Sequence, residues 1–382
     1  MDLMEYKAKE LFAAYQLPVG AAAVIQSTEE LENLPELPYP VMVKAQVAIG
    51  GRGKAGGIKS AATPQEAKEA ARAILGMDIK GHTVKTLMLT ERLEFEKEWY
   101  LSILLDRDSK SPVIIFSSVG GMDIEQTAKT EPDKISRVVI DPVIGLRKYV
   151  ATYLISRNGL DKEYEPALWE LLQKLYKLFL EYDCTLCEIN PVGVMQKGQL
   201  AAVDAKVSID DSALYRHQDI LAYREEMEND PYILEARKYN FLYIPCDEQG
   251  NISVISNGSG MIMSCIDMLA QNDMKVGAAL DLGGGATAER ICEALRIVLN
   301  NPSISALFIN IFGGITRCDE VAGGIKRYVE EMDSGKIIVA RFEGTNKEKG
   351  IEILQQLHKD HIVFADGLYE GVAALAERRN SL

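Results

Sequence analysis

The fold of the second half of the chain is decided by the stretch ISALFINIFGGIT, which runs from Ile304 to Thr316. Its apolar and β-branched beginning predicts a buried strand, and the paired glycines near its end predict a tight turn. A stretch with helical character follows the turn. A strand, a glycine turn and a helix therefore form the repeating unit of this half.

The same unit recurs along the chain, with apolar strands predicted to begin near residues 251, 275, 304, 336 and 362. Parallel neighbours need right-handed crossovers, so we expect a doubly wound parallel α/β sheet with helices on both faces. Four strands end in glycine-bearing turns, at Asn257–Gly260, Gly283–Thr287, Gly313–Thr316 and Gly344–Asn346. These turns should meet at one sheet edge, where helix N-termini favour a carboxylate, a phosphate or a phosphorylated side chain. Glycines that serve packing alone are the alternative, and these four turns lack the G-x-G-x-x-G spacing, with a well-placed acid after the next strand, of nicotinamide-binding domains.

The first half lacks this repeat and is predicted to be mixed α and β. Asp2 and Glu5 are expected to form a capping box for an amphipathic helix, and a second, longer helix is predicted from 165 to 182. Two hairpins are predicted, one from strands 98–105 and 112–118 and one from strands 185–195 and 199–208. The charged segment 209–250 separates the halves. We place the boundary near residue 230, which gives domains 1–230 and 231–382.

Composition limits the classes of function. The 382 residues are 47% hydrophobic and 26% charged, as in an ordinary globular protein of two or three domains. The net charge of −14 disfavours nonspecific binding to nucleic acid, and no uncharged apolar run is long enough for a membrane span. The first residues do not resemble a signal peptide, and six irregularly spaced cysteines suggest reduced thiols. We therefore expect a cytoplasmic protein.

The segment from Lys44 to Gly57 combines three cations with five glycines at the end of a predicted strand. Glycine lets the backbone close over phosphate oxygens, and Lys and Arg neutralise the charge of phosphoryl transfer. The G-x-x-x-x-G-K-[ST] pattern of a Walker loop is absent, so we expect a lid over a nucleotide. A solvated basic hairpin is the alternative.

Asn190 and Asp204 lie on the two strands of the second predicted hairpin, where they can be neighbours. Their oxygens are hard ligands suited to Mg²⁺, which usually keeps waters and phosphates in its other positions. The alternatives are structural: Asn190 before Pro191 can begin a turn, and Asp204 can pair with Lys206 on a surface strand.

Across nearly its whole length, the chain resembles the β subunits of succinyl-CoA synthetases, the acid–CoA ligases that form ADP or GDP. The resemblance is carried by four motifs in the family's order: Lys44–Gly57, Glu188–Pro191, Asp281–Thr287 and Asn310–Asp319. It implies an ATP-grasp nucleotide domain in residues 1–230. It also implies a flavodoxin-like CoA-ligase domain in residues 231–382.

The resemblance further implies roles for individual residues. Nucleotide contacts are implied for Lys44, Gly51, Arg52, Gly53, Thr90 and Glu98. Mg²⁺ would be held by Asn190 and Asp204, and Glu188 resembles the glutamate that steadies a phosphorylated histidine. The acid pocket would be formed by Asn257, Gly314, Ile315 and Thr316. Thr90 replaces a common Glu, and Leu93 stands where a small or polar residue is common, so the choice between ATP and GTP stays open.

The family relays phosphate through a histidine on a mobile glycine-rich loop, and none of His82, His217, His358 and His361 fits that description. The resemblance therefore places the phosphohistidine and the main CoA site on a partner α subunit, in an αβ or α2β2 assembly. It implies the reversible reaction of an acid, CoA and ATP or GTP to acyl-CoA, ADP or GDP and phosphate. Acyl phosphate and phosphohistidine are the implied intermediates.

Succinate is the default acid, but residues beside the proposed acid pocket depart from the family. The segment Asn257–Ile262 reads NGSGMI where NGAGLA is usual, and Ala278 and Ala279 replace bulkier residues. Malate, citrate or a sulfonated acid such as sulfoacetate are therefore alternative substrates. A nonenzymatic nucleotide or CoA sensor and a stand-alone ATP-grasp carboxylate ligase are the rival functions.

Overall fold

The computed structural model describes residues 1–33, 37–47, 49, 51–121 and 124–378. It divides the chain into two compact units, Met1–Leu221 and Ala222–Leu382. The boundary near residue 230 stays a prediction.

The described part of the first unit forms a four-stranded antiparallel sheet, a larger six-stranded sheet and a short two-stranded one. The strands are β1 (Ala22–Ile25), β2 (Val41–Gln46), β3 (Ile58–Ala61), β4 (Asp78–Ile79), β5 (His82–Thr83), β6 (Thr86–Glu91), β7 (Lys97–Asp106), β8 (Ser111–Ser117), β9 (Ser136–Val139), β10 (Cys184–Val194), β11 (Leu200–Ala202) and β12 (Lys206–Ile209). The helices are α1 (Glu5–Ala14), α2 (Pro64–Ile74), α3 (Ile124–Thr130), α4 (Tyr149–Arg157) and α5 (Glu165–Glu181), and α6 (Gln218–Met227) runs across the division between the units.

The four-stranded sheet has the order β1-β6-β2-β3, and the six-stranded sheet has the order β11-β10-β7-β8-β9 with β12 also paired to β10. Helix α5 confirms the predicted long helix. Its fully buried face carries Leu168, Leu172 and Leu175 at helical spacing and packs against β10. Burying each leucine contributes about 1.5–3 kcal/mol, which fixes α5 on the sheet.

The second hairpin differs from its prediction in one respect that matters for the site. Strand 199–208 is broken into β11 and β12, which pair with separate stretches of β10. The break arises because β10 shifts register between Ile189 and Val192, and the Val203 amide then bonds to the Pro191 carbonyl. Asp204 lies in this break, next to the irregular part of β10 that holds Asn190.

The second unit confirms the doubly wound prediction. Its strands are β13 (Leu242–Pro245), β14 (Ile252–Ser256), β15 (Val276–Asp281), β16 (Ala306–Gly313), β17 (Ile337–Gly344) and β18 (Ile362–Ala365). Its helices are α7 (Pro231–Lys238), α8 (Ser259–Ala270), α9 (Ala288–Leu299), α10 (Cys318–Glu331), α11 (Lys347–Gln355) and α12 (Leu368–Glu377).

The sheet order is β13-β15-β14-β16-β17-β18, and β14 to β18 are parallel. Counted along the chain, these parallel strands follow the order 2-1-3-4-5 of flavodoxin-like sheets. Helices α8 and α12 cover one face, while α7, α9, α10 and α11 cover the other. The antiparallel edge strand β13 was not predicted, because its short apolar run ends at Pro245 and is not followed directly by a glycine turn.

Candidate functional site

A cavity of about 380 Å³ in the first unit brings together residues from both motifs of that half and from the break in the second hairpin. The glycine-rich segment after β2 contributes Gly51, Arg52 and Gly53. The break in the second hairpin contributes Asp204, and β10 contributes Glu188 and Asn190. The cavity is also lined by Asp2, Leu3, Glu5, Val47, Ile49, Ile58, Ala205 and Lys206.

Glu5 is the centre of the charge cluster beside this cavity. Its side chain is only 1% exposed, and its Oε1 accepts a hydrogen bond of 2.7 Å from the Nζ of Lys44. Its Oε2 accepts a bond of 2.8 Å from the Nη2 of Arg52, and the Nζ of Lys9 lies 3.4 Å from Oε1. The two cations predicted to contact phosphate are thus held by one carboxylate.

The sequence analysis assigned Glu5 a different role, as part of a capping box, and that prediction was wrong. The residue before α1 is Met4, and no side chain caps the helix. Asp2 instead accepts a hydrogen bond from the Ser208 hydroxyl. A local signal existed: Glu5 and Lys9 are charged, yet they share a helical face with the buried Ala8 and Phe12.

Charge and burial shift the pKa values of Glu5 and Asp204, the two acids of the cluster, in opposite directions. Burial raises the pKa of Glu5, but the charges of Lys44, Lys9 and Arg52 outweigh this effect and lower it to about 2. Burial and the negative charge of Glu5 raise the pKa of Asp204 to about 6. Glu5 therefore stays ionised as the counter-ion of the cations. Asp204 is the acid that holds a proton more readily.

Within the glycine-rich segment, the described residues 51–57 are folded against β2. The Nη1 of Arg52 donates to the Ala45 carbonyl over 3.0 Å, the Gly57 amide donates to the Arg52 carbonyl, and the Ala45 amide donates to Gly57. Gly51 has a φ of +84°, which favours glycine. Ala48 and Gly50, which belong to the predicted lid, lie outside the described residues.

The proposed metal ligands both offer oxygen atoms at the cavity. The Oδ1 of Asn190 accepts a hydrogen bond of 2.9 Å from the Gly121 amide, and the Oδ1 of Asp204 accepts one from Ala205. A carbonyl or carboxylate oxygen keeps a further lone pair after one such bond. Among the described residues, no three His, Cys, Asp or Glu side chains are grouped as a metal site. One amide oxygen and one carboxylate oxygen, those of Asn190 and Asp204, are donors that suit a hard cation, which can take its remaining ligands from water and phosphate.

Glu188 is half-buried on β10, directly across the ladder from Lys206 on β12. The hydroxyl of Tyr100 donates to its Oε2 over 3.3 Å. Tyr100 is buried in β7, so this contact fixes the carboxylate against a rigid strand. Glu188 is thereby presented to the cavity as a hydrogen-bond acceptor.

Three residues predicted to contact the nucleotide, Lys44, Thr90 and Glu98, do not line this cavity. Lys44 is buried behind its wall, in the ion pair with Glu5. Thr90 is buried within β6, opposite Met42, with 3% of its surface exposed. Glu98 is exposed at the start of β7, and its carboxylate lies against Gly121, where φ is +66°. The Gly121 amide also donates a hydrogen bond to Asn190. Glu98 and the proposed metal ligand Asn190 therefore both contact Gly121.

The glycine turns of the second unit are joined by hydrogen bonds. The side-chain amide of Asn257 both donates to the Phe312 carbonyl and accepts from the Phe312 amide, at 2.9 and 3.1 Å. The Gly285 amide donates to the Thr316 hydroxyl over 3.1 Å, and the Cys318 amide donates to the Thr345 carbonyl. All four turns therefore meet at one edge of the sheet, as their positions predicted.

The residues predicted for the acid pocket divide into two kinds. Thr316 is 1% exposed and uses its hydroxyl within the protein, whereas Ile315 is 85% exposed. A side chain built at Gly314 would meet only open space. Asn257 is half-buried, which is intermediate between the exposure of Thr316 and that of Ile315. Gly314 and Ile315 can thus face a ligand, while Thr316 and Asn257 hold the turns in place.

None of the helices formed by the described residues is both long enough and apolar enough to cross a bilayer.

Comparison with known proteins links both halves to defined families. Residues 2–194 match a family model described as an ATP-grasp domain, and residues 255–372 match one described as CoA-ligase. The β subunit of the ADP-forming succinate–CoA ligase of Rubrobacter xylanophilus is 43% identical over 357 residues, which are 93% of each chain. The β subunit of the GDP-forming enzyme of Thermus thermophilus is 43% identical over 356 residues, also 93% of each chain.

Among solved structures, ATP citrate lyase from Methanothrix soehngenii in complex with citrate and coenzyme A matches with a TM-score of 0.80. The match covers 99% of both chains at 18% identity, and at that identity it shows the fold alone.

Proposed function

Because the chain belongs to the family of succinate–CoA ligase β subunits, we propose that it is the nucleotide-activating subunit of a ligase that joins succinate to CoA at the expense of ATP or GTP. The observation that carries the proposal is the cavity in which Arg52 and two oxygen-bearing residues, Asn190 and Asp204, lie together. Phosphoryl transfer requires cationic side chains and a metal ion held by oxygen ligands, because both neutralise the charge of the phosphates.

In this proposal, Lys44 and Arg52 bind the phosphates of the nucleotide, and the backbone amides of Gly51 and Gly53 approach them closely. Lysine acts as a point charge, while the arginine fork can bind two oxygens of one phosphate. Asn190 and Asp204 would hold Mg²⁺, which when bound neutralises charge on the phosphates. A carboxyl group must lose its proton before it can bind a metal. Asp204 loses its proton at a higher pH than usual, because its pKa is raised to about 6.

The γ-phosphoryl group needs an acceptor, and we propose a histidine of a partner α subunit. Glu188 supports this role, because its carboxylate can accept a hydrogen bond from an imidazole N–H and keep the ring oriented for attack. When the histidine nitrogen bonds to phosphorus, the bond to the β-phosphate oxygen breaks and the nucleoside diphosphate leaves. The phosphoryl group then passes to the acid carboxylate, and CoA sulfur displaces phosphate from the acyl phosphate.

The acid and CoA complete the proposal. Gly314 and Ile315 are proposed to contact the acid, and Asn257 and Thr316 are proposed to support that pocket. CoA would bind mainly to the α subunit, in an αβ or α2β2 assembly. We also propose a cytoplasmic location, which the six unpaired cysteines support.

The test is to purify the chain alone and together with an α subunit, and to measure acyl-CoA formation from succinate, CoA and Mg-ATP or Mg-GTP. We expect turnover only from the pair. CoA- and succinate-dependent release of ADP or GDP by the chain alone would contradict the two-subunit proposal.

A panel of acids tests the substrate within the same assay. We expect succinate to give the highest kcat/KM among succinate, malate, citrate and sulfoacetate. If kcat/KM for one of the other acids were tenfold higher than for succinate, that acid would be the substrate, and the proposed type of reaction would be unchanged.

A further inference from the structure

We infer that Glu5 is a positioning residue for phosphoryl transfer: it holds Lys44 and Arg52 in the orientation in which they meet the phosphates of the nucleotide. This inference rests on the proposed function, because that proposal gives the two cations their task. No motif in the sequence assigned Glu5 to the site.

The geometry of the carboxylate supports this role. Its two oxygens are divided between two segments of the chain: Oε1 binds Lys44 on β2, and Oε2 binds Arg52 in the glycine-rich segment. Glu5 itself stands in the first turn of α1. One side chain therefore ties a helix, a strand and the glycine-rich segment together at the wall of the cavity.

Arg52 depends on such an anchor more than Lys44 does. It lies between Gly51 and Gly53, and glycines leave the backbone on both sides free to turn. Its other contacts are the Ala45 carbonyl at 3.0 Å and the Asp204 carboxylate at 3.7 Å. Without Glu5, the Ala45 carbonyl would be the one hydrogen-bond acceptor left to the guanidinium among the residues that the structure describes.

If Glu5 acts only through its charge, its removal should affect nucleotide binding. If it positions the cations, its removal should affect the transfer rate. The cluster has three cations, Lys9, Lys44 and Arg52, and two acids, Glu5 and Asp204. If only charge mattered, neutralising Glu5 would strengthen binding of a triphosphate, because a like charge is removed. If Glu5 positions the cations, the transfer rate should fall even where binding is unchanged or tighter, since small displacements are costly in a transition state.

The experiment measures single-turnover transfer of labelled γ-phosphate from Mg-ATP to the α subunit, together with the Kd of Mg-ATP. For Glu5→Gln we expect a rate about tenfold lower or more at saturating nucleotide, with a Kd equal to that of the unmodified protein or tighter. Glu5→Asp keeps the charge and should restore most of the rate. Glu10→Gln, on the same helix but exposed and paired with Lys7, is the matched control and should leave both quantities unchanged.

A double-variant cycle tests whether Glu5 acts through Arg52. The loss caused by Glu5→Gln should largely disappear when Arg52 is already glutamine, because the residue being positioned is gone. Fully additive losses would contradict the inference. If Glu5→Gln does not fold, the same measurements apply to Glu5→Gln combined with Lys9→Met, which removes one charge of each sign, with Lys9→Met alone as its reference.

The outcomes separate this inference from the function on which it rests. A transfer rate unchanged by Glu5→Gln but abolished by Lys44→Met overturns the positioning role and leaves the site intact. A rate unchanged in both variants overturns the proposed nucleotide site itself.

Discussion

The Nζ of Lys44 lies 2.7 Å from the Oε1 of Glu5, and both side chains are at most 7% exposed. A buried ion pair of this kind costs desolvation, and removing one partner leaves an uncompensated charge that destabilises a protein by about 3–5 kcal/mol. A pair that served stability alone would be replaceable by apolar side chains. We propose that charge is kept there because the pair lies beside the cavity in which the nucleotide phosphates are proposed to bind.

Replacing Asp204 with Ala should remove Mg²⁺-dependent phosphoryl transfer. We expect kcat to fall by at least about a hundredfold, because the Mg²⁺ that Asp204 is proposed to hold would bind less tightly and would no longer neutralise the phosphates in a fixed position. The measurement is steady-state turnover of the reconstituted pair across a Mg²⁺ titration. Asp108→Ala, at an exposed turn position, is the control. Wild-type turnover by the Asp204 variant would remove this residue from the metal site.

Replacing Asn257 with Ala should disturb the edge of the sheet in the second unit. The change removes two hydrogen bonds to Phe312, so we expect the free energy of unfolding to fall by about 1–2 kcal/mol and the KM of the acid to rise. Kinetics with succinate varied and Mg-ATP saturating check the second expectation. Asn272→Ala, which removes a single hydrogen bond at the end of α8, is the control for stability. An unchanged acid KM would separate Asn257 from the pocket.

Replacing Thr316 with Val tests the other support of that edge. The side chains have similar shapes, but valine would leave the amide of Gly285 without its acceptor at a position that is 1% exposed. We expect a loss of about 1–3 kcal/mol in the free energy of unfolding, measured by denaturant titration. If the variant is as stable as the unmodified protein, the bond to Gly285 is not what orders this turn.

Acid should weaken the contact between Asp183, Arg216 and His217. The hydrogen bonds of Arg216, opposed by burial and reinforced by His217, lower the pKa of Asp183 to about 2, below its usual value near 3.8. Between pH 2 and pH 3.8 the unfolded chain binds a proton at Asp183 more readily than the folded protein does. The ionised Asp183 therefore stabilises the fold above pH 3.8, and this stabilisation is lost as the pH falls towards 2.

For Asp183→Asn we therefore expect a lower free energy of unfolding at neutral pH, by about 1–2 kcal/mol, and a difference from the unmodified protein that narrows in acid. Unfolding titrations at a series of pH values measure it. A difference that does not change with pH would show that the ionised carboxylate is not its cause.

Much of the fold could be predicted because it depends on local patterns. The five parallel strands were expected near 251, 275, 304, 336 and 362, and they begin at Ile252, Val276, Ala306, Ile337 and Ile362. Apolar runs bounded by glycine turns carry this information within a few residues. Edge strand β13 has an apolar run, but no glycine turn follows it directly to mark its end.

The site residues could be predicted only where the signal is local in sequence. The glycine-rich segment is continuous, and Asn190 and Asp204 lie on the two strands of one predicted hairpin. Glu5 was assigned to a capping box because local spacing allowed it, whereas its partners Lys44 and Arg52 are far along the chain. The break between β11 and β12 was missed because it depends on the register of β10.

Transfer of labelled γ-phosphate from Mg-ATP to a histidine of the α subunit tests the central claim most directly. We predict that the unmodified chain phosphorylates its partner within one turnover and that Lys44→Met lowers the rate by at least about a hundredfold. Lys129→Met, at an exposed position on α3, should transfer at the unmodified rate. Absence of phosphohistidine during active acyl-CoA synthesis, or full transfer by the Lys44 variant, would contradict the account.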